Sequence, residues 1–385
     1  MLALGSLSTE AHGQEDALPV QVHGFVSQGF IKTTDNNYLA GSERGSLEFT
    51  EAGLNVTKQL TEDLKLGVQL FTRDLGPIGN YDARFDWFYL DYRFRDWLGL
   101  RAGRTKLPFG LYNETSDVDA ARVPVLLPQS IYPTANRDYL LAQTGGELYG
   151  YVPLGSVGQL EYRLYGGTIF FDVGETSDQI GEVSVPYLAG GRLMWLTPLE
   201  GLQLGGSAQA LRLDIDYVPP PEAIQPLEMA GQLPADFSGT VEVRLPALLA
   251  VGSLEYAAYD FLFAAEYSRW YVSIESDLPA LIPETKSVSE RGYVMSSYRV
   301  APWFAPGVYY SVLFGDVDDR HGRDAYQHDI AFTLRYDINP YWLVKLEGHY
   351  MSGTAALSPA LNDGTLREDL AKDWGVFMAK TTAYF

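Results

Sequence analysis

The chain has 385 residues, no cysteine and a formal net charge of −21. Without cysteine there is no disulfide scaffold, thiolate metal centre or cysteine nucleophile, and so acidic a chain repels the phosphates of nucleic acid. No uninterrupted apolar run reaches the roughly 18 residues of a helical membrane span, while 26 Tyr, 18 Phe and 7 Trp enrich the chain in residues that suit strands and membrane interfaces.

Residues 1–18 begin with an apolar stretch, Leu2 to Leu7, followed by small residues around Ala11 and Gly13. They read as a signal-peptide remnant or a disordered tail. Beyond them, apolar and polar residues alternate with a period of two in sixteen segments: 19–33, 45–58, 63–74, 83–95, 98–106, 146–153, 157–171, 187–197, 200–213, 240–256, 259–275, 290–301, 303–314, 325–338, 340–352 and 373–385. The connections alternate between short ones, such as Arg95-Asp96-Trp97 or Pro198-Leu199, and long ones at 34–44, 75–82, 107–145, 172–186, 214–239, 276–289, 315–324 and 353–372.

This rhythm predicts an all-β fold, a transmembrane antiparallel β-barrel of about 16 strands with short periplasmic turns and long extracellular loops. One domain covers 19–385. In segment 340–352, Trp342, Val344, Leu346 and Tyr350 oppose Leu343, Lys345, Glu347 and His349; in 325–338, Ile330, Phe332, Leu334 and Tyr336 oppose Asp329, Thr333, Arg335 and Asp337. A single such strand fits a soluble sheet equally well. Sixteen of them without helices fit a cylinder with lipid outside and water inside, which leaves no open edge. The longest apolar region, Pro246 to Tyr267, is broken by Glu255 and Asp260. No repeat of fixed period points to a propeller or solenoid.

The connection 107–145 is the candidate functional element. It carries Asn113, Glu114, Asp117, Asp119, Arg122, Gln129, Arg137 and Asp138 among four prolines. A loop of this length in a compact domain is usually functional, and in a wide barrel an inward fold narrows the lumen and sets its charge. The alternative is an external loop packed on a neighbouring subunit or on lipopolysaccharide. Facing it, the strands are expected to present Arg73, Asp91, Arg93, Arg101, Arg104, Lys106, Arg163, Arg192, Arg335, Lys345 and Glu347, with Arg299 further round. Facing rows of opposite charge would create a transverse field that admits small polar solutes.

In the acidic run GDVDDRHGRD, Asp316, Asp318 and Asp319 are weak candidates for Ca2+. The run lacks the final Glu of a calcium-binding loop, so a solvated acidic loop is the simpler reading. No other cofactor is expected. HExxH, GxSxG and phosphate-binding loop motifs are absent. His349 and Glu347, two apart on one strand face, are the one pair that a hydrolase reading would use, and no serine joins them in the sequence. The expected role is therefore a passive channel and not an enzyme; a plugged, adhesive or anchoring barrel is the alternative.

The segment AGRTKLPFGLYNET, Ala102 to Thr115, resembles the phosphate- and polyphosphate-selective porin superfamily and allied porin-like proteins. The opening GFVSQGFIKTTDNNYL and the late WLVKLEGHYMSGT are similar to porin segments, and a final strand ending in Phe385 resembles the recognition signal of outer-membrane barrels. The resemblance implies an outer-membrane homotrimer of 16-stranded barrels, with Arg104 and Lys106 at the basic positions of the motif. It further implies lipid and lipopolysaccharide around the barrel and small hydrophilic solutes or ions within. The chain is acidic and its central loop is poor in lysine, so the resemblance extends to the fold and the channel role, not to phosphate.

Overall fold

The computed structural model describes residues 20–170 and 179–385, apart from the side chains of Asp138 and Tyr139. The tail expected at 1–18 lies outside these residues, as does part of the 172–186 connection. Sixteen strands follow in chain order: β1 (Val20–Thr33), β2 (Thr50–Gln59), β3 (Leu64–Asp74), β4 (Arg84–Arg95), β5 (Leu98–Lys106), β6 (Ala142–Pro153), β7 (Gln159–Thr168), β8 (Ile180–Leu196), β9 (Leu202–Tyr217), β10 (Val241–Ala258), β11 (Phe261–Ser276), β12 (Thr285–Tyr298), β13 (Phe304–Phe314), β14 (Tyr326–Asn339), β15 (Trp342–Gly353) and β16 (Asp373–Tyr384). Each pairs antiparallel with its sequence neighbours, and β1 pairs with β16 to close the barrel. Closure gives every ladder N–H and C=O a partner, which is what a hydrocarbon surrounding demands.

Strand alternation follows from that surrounding. On β14, Ile330 and Phe332 are exposed on the outside while Ala331 and Thr333, which alternate with them, are buried. On β15, Trp342, Leu346 and Tyr350 point out, and Leu343, Lys345, Glu347 and His349 point in. Exposed aromatics gather near the short turns, where Trp97, Trp303, Tyr341 and Trp342 form part of an interfacial girdle. Several indole and phenol groups there bond to the wall: Trp195 Nε1 donates to Val157 O at 2.7 Å and Tyr162 Oη to Trp97 O at 2.6 Å.

The turns at this end are tight. Tyr259 and Asp260, with φ of 54° and 61°, form the two-residue link between β10 and β11, the left-handed geometry that matches strand twist in a hairpin. The chain terminus lies on the same rim. Phe385 exchanges backbone hydrogen bonds with Gly24, and its ring lies against that glycine so closely that a Cβ there would sit 2.7 Å from the Phe385 Cζ.

Five strand boundaries differ from the sequence reading by four residues or more. β2 begins at Thr50 and not at 45: Ser46 makes only a bridge to Ile31, and the ring of Phe49 folds over Gly29. β6 begins at Ala142, because Gln143 and Ala142 already pair with Thr105 and Lys106. β8, β9 and β12 run several residues further on the long-loop side than the alternation suggested. There the outer face becomes charged, with Arg212–Asp214 and Arg244–Glu242 pairs at 2.8 Å, so β8 to β12 stand above the apolar band. Inside this extension the wall of β9 to β11 is apolar. A helix (Pro221–Met229) and the 277–284 connection cover it, packing Ile224, Leu227, Leu278 and Leu281 against Ile215, Val241 and Val243.

Candidate functional site

The segment between β5 and β6, residues 107–141, is bonded to inward-facing side chains all round the barrel. Asn113 closes its base, donating from Nδ2 to Leu107 O and Leu140 O at 2.8 and 2.9 Å. Gln129 braces the middle from within through Leu127 O and Tyr132 O. Three groups of contacts then fix the loop to the wall.

On the β14–β16 side, Lys345 Nζ donates to the carbonyls of Asp119, Arg122 and Pro124 and to Asp119 Oδ1. Glu347 accepts the backbone N–H groups of Val125 and Leu126 at 2.7 and 3.1 Å. Arg335 Nη1 donates to Ala120 O and Arg122 O while the same guanidinium holds Asp337. Thr382 donates to Asp119 Oδ2. Burial disfavours the Asp119 charge, but Lys345, Lys380 and Arg122 around it hold the carboxyl far below its ordinary range.

On the β9–β13 side, Glu266 is the anchor. Its carboxylate accepts the Leu111 N–H at 2.9 Å and the hydroxyls of Tyr132, Tyr293 and Ser253. Tyr112 Oη donates to Glu255 at 2.5 Å, Gly110 N to Ser207 Oγ at 3.1 Å, and Ser130 Oγ to Gly292 O at 3.2 Å.

On the β3–β8 side the contacts are ionic. Arg137 forms a two-pronged pair with Asp86 at 2.6 and 2.8 Å. Lys106 meets Asp117 at 2.5 Å, and Gln69 and Arg73 donate to Asp117 and to Thr134 O. Burial opposes the Asp117 charge, and Lys106 and Arg137 nevertheless hold it down to about 2. Glu114 reaches Arg163 at 2.9 Å and Arg192 at 3.2 Å. Its carboxyl, partly buried at a cost, is held below the usual carboxylate range by Arg163, Arg192 and Arg101. Behind Glu114 the wall arginines are themselves paired: Arg101 with Asp91 and Glu147, Arg163 with Glu147, and Arg192 with Glu161. Opposite charges here touch; they do not face each other across a gap.

The sequence-derived residues thus separate into groups. Asp91, Arg101, Lys106, Glu114, Asp117, Arg137, Arg163 and Arg192 come together on the β4–β8 side. Asp119, Arg122, Arg335, Lys345 and Glu347 come together on the other side, where Arg122 donates to Ser116 O. Arg73 is buried under the loop. Arg93 is exposed near a periplasmic turn. Arg104 pairs in register with the outward Phe88 and donates to Asp86 O. Arg299 lies in a turn, bonded to Pro302 O and Asp337.

Asp316 and Asp319 accept backbone N–H groups two residues on, from Asp318 and His321. Among the described residues no three His, Asp or Glu side chains gather as metal ligands. Both ring nitrogens of His349 are occupied, Nδ1 by Asp329 at 2.9 Å and Nε2 by Glu347 at 3.0 Å, so neither is left to activate a hydroxyl nucleophile.

Sequence reasoning missed Glu266, Glu255, Asp86, Tyr112 and Tyr132. A signal existed for two of them: Glu255 and Glu266 both lie within the longest apolar region, Pro246 to Tyr267, at inward-facing positions.

A cavity of about 460 Å3 opens below the loop. It runs from His23, Tyr341 and Phe385 at the short-turn rim up to Arg101, Lys106 and Asp117. Above the loop on the opposite flank lies a smaller chamber of about 140 Å3.

No family model matches the sequence, and no curated protein does. Solved structures do. OmpT of Vibrio cholerae, an outer-membrane protein also matched in a trimer form, superposes with a TM-score of 0.59 at 12% identity over 97% of this chain and 99% of that one. An anion-selective porin from Comamonas acidovorans gives 0.54 at 12% identity over 95% and 99%. The outer-membrane channel DcaP of Acinetobacter baumannii gives 0.54 at 12% identity over 97% and 99%. At these identities the likeness is one of architecture, and the chain has the fold of a 16-stranded outer-membrane porin barrel.

Proposed function

We propose that the chain is a bacterial outer-membrane porin, a trimer of barrels through which small hydrophilic solutes and ions diffuse passively. The loop at 107–141 forms the constriction. The observation that carries this reading is the position of Glu114, which reaches from the loop to Arg163 and Arg192 of the wall above the cavity of about 460 Å3. Ionic contacts of this kind exchange partners with water and solute more readily than packed apolar ones, so the passage follows the β4–β8 flank. Charge there is nearly balanced: Arg101, Lys106, Arg163 and Arg192 against Asp91, Glu114, Asp117, Glu147 and Glu161. Size filtering with weak ion preference follows, and phosphate selectivity is not favoured. Stepwise ohmic currents from the purified protein in planar bilayers, with a reversal potential near zero in a salt gradient, are the expected result. Persistent silence overturns it.

One observation favours a plugged barrel as a second reading. The loop is tied to opposite walls, and Lys345, Glu347 and Lys380 beneath it are closed to solvent. Such a barrel is silent in the same bilayers, and remains so when Glu114 is neutralised.

A further inference from the structure

Above the loop, the inner wall departs from what a polar passage needs. The inward residues of β9, β10 and β11 there are Leu211, Leu213, Leu245, Ala247, Trp270 and Val272, while Arg212, Asp214, Arg244 and Arg269 take the outer face. These inward residues, with Ile169 and Val185, bound the chamber of about 140 Å3 that Leu140 of the loop closes from the other side. Two features separate this chamber from ordinary loop packing. A packed core leaves few voids larger than water, and an apolar void of about 150 Å3 is enough to take up benzene. The lining presents no polar surface to this void, and the Trp270 indole N–H is itself closed off from it. The Arg291 guanidinium lies over the same ring at 4.9 Å.

We propose that this chamber binds a small apolar monocyclic aromatic molecule, with its ring among Leu211, Leu213, Leu245 and Val272. A sugar or a hydrated ion finds nothing on these walls to replace its water, and pays desolvation without return. The chamber lies on the long-loop side of the constriction, so it holds the solute before the charged passage. The inference rests on the channel reading for the onward route only; binding stands apart from conduction.

The test uses fluorobenzene and the purified full-length barrel in lipid nanodiscs, read by fluorine NMR against empty discs. Saturable binding above the empty-disc background is expected. Leu213→Asn, which makes the wall polar, and Ala247→Phe, which fills the void, should each weaken it by about tenfold or more. Glu114→Gln should leave it unchanged. Heat-modifiable gel migration identifies folded barrels, and if Leu213→Asn fails to fold, Ala247→Phe is scored alone. Signal no greater than in empty discs, or equal saturable binding in wild type and the folded variants, overturns the chamber. Currents in bilayers without saturable binding remove the chamber and leave the channel. Saturable binding with silent bilayers does the reverse.

Discussion

Lys345 Nζ lies 2.9 Å from Asp119 Oδ1, and both side chains are closed to solvent. A strand in the last part of the barrel thereby holds a loop that leaves the wall more than two hundred residues earlier, and the same ammonium also satisfies three loop carbonyls. Removing one partner of such a buried pair strands the other. Lys345→Met should loosen the loop by about 3–5 kcal/mol while leaving the strand ladder closed. Amide hydrogen exchange at Val125 and Leu126 should accelerate, and heat-modifiable migration should persist. Unchanged exchange would remove Lys345 from the role of anchor.

Glu114 offers a test with the opposite character, because its side chain is far less enclosed than those of Lys345 and Asp119. Glu114→Gln leaves Arg163 and Arg192 without their loop counter-charge. Selectivity should move toward anions and single-channel conductance should rise. Reversal potential measured with wild type and variant in one salt gradient decides the sign.

The loop's acidic groups also set a pH window. Asp117 is held down to about 2 in place, chiefly by Lys106 against the opposing effect of burial, whereas a released loop carboxylate titrates near about 3.9. A depressed value in the bound state means that the stabilisation is fully present above about 4 and is lost as pH falls through about 2. Loop exchange rates should therefore be flat from neutrality to about 4 and rise steeply below. A rise centred near neutral pH would contradict this assignment.

Seating of the terminus depends on Gly24. A side chain there collides with the ring of Phe385, whose backbone closes the β1–β16 seam. Gly24→Leu should lower the yield of heat-modifiable barrel several-fold, and Gly24→Ala less so. Equal yields of Gly24→Leu and wild type would show that the ring can seat elsewhere.

Where lipid touches the wall, the fold is legible from sequence, because hydrocarbon allows only apolar groups at every second position. The alternation at 325–338 and 340–352 lies within one or two residues of β14 and β15. Legibility fails where that solvent ends. Residues 180–186 and 214–217 are strand, yet their outer faces carry charge and their inner faces are apolar, so the pattern reverses and reads as loop; 285–289 is strand with hydroxyls on its inner face and Lys286 outside, which leaves no alternation to read. The candidate site divides in the same way. Length and prolines mark the 107–145 connection, but nothing local indicates that Val125 meets Glu347 or that Tyr132 meets Glu266. Those meetings are set by the barrel's diameter and by which strands lie opposite one another. Arg101, Arg163 and Arg192 could be placed on the inside by parity; their close pairing with Asp91, Glu147 and Glu161 on adjacent strands required the register.

The extension of β8 to β12 has a geometric consequence. β10 has 18 residues and β5 has 9, a difference that at about 3.3 Å per residue amounts to roughly 30 Å of strand before tilt is considered. The outer mouth is therefore cut obliquely, with a tall parapet on one flank and a low sill on the other. The apolar inner residues Leu213, Leu245 and Val272 thus stand on a wall that rises beyond the level at which β5 ends.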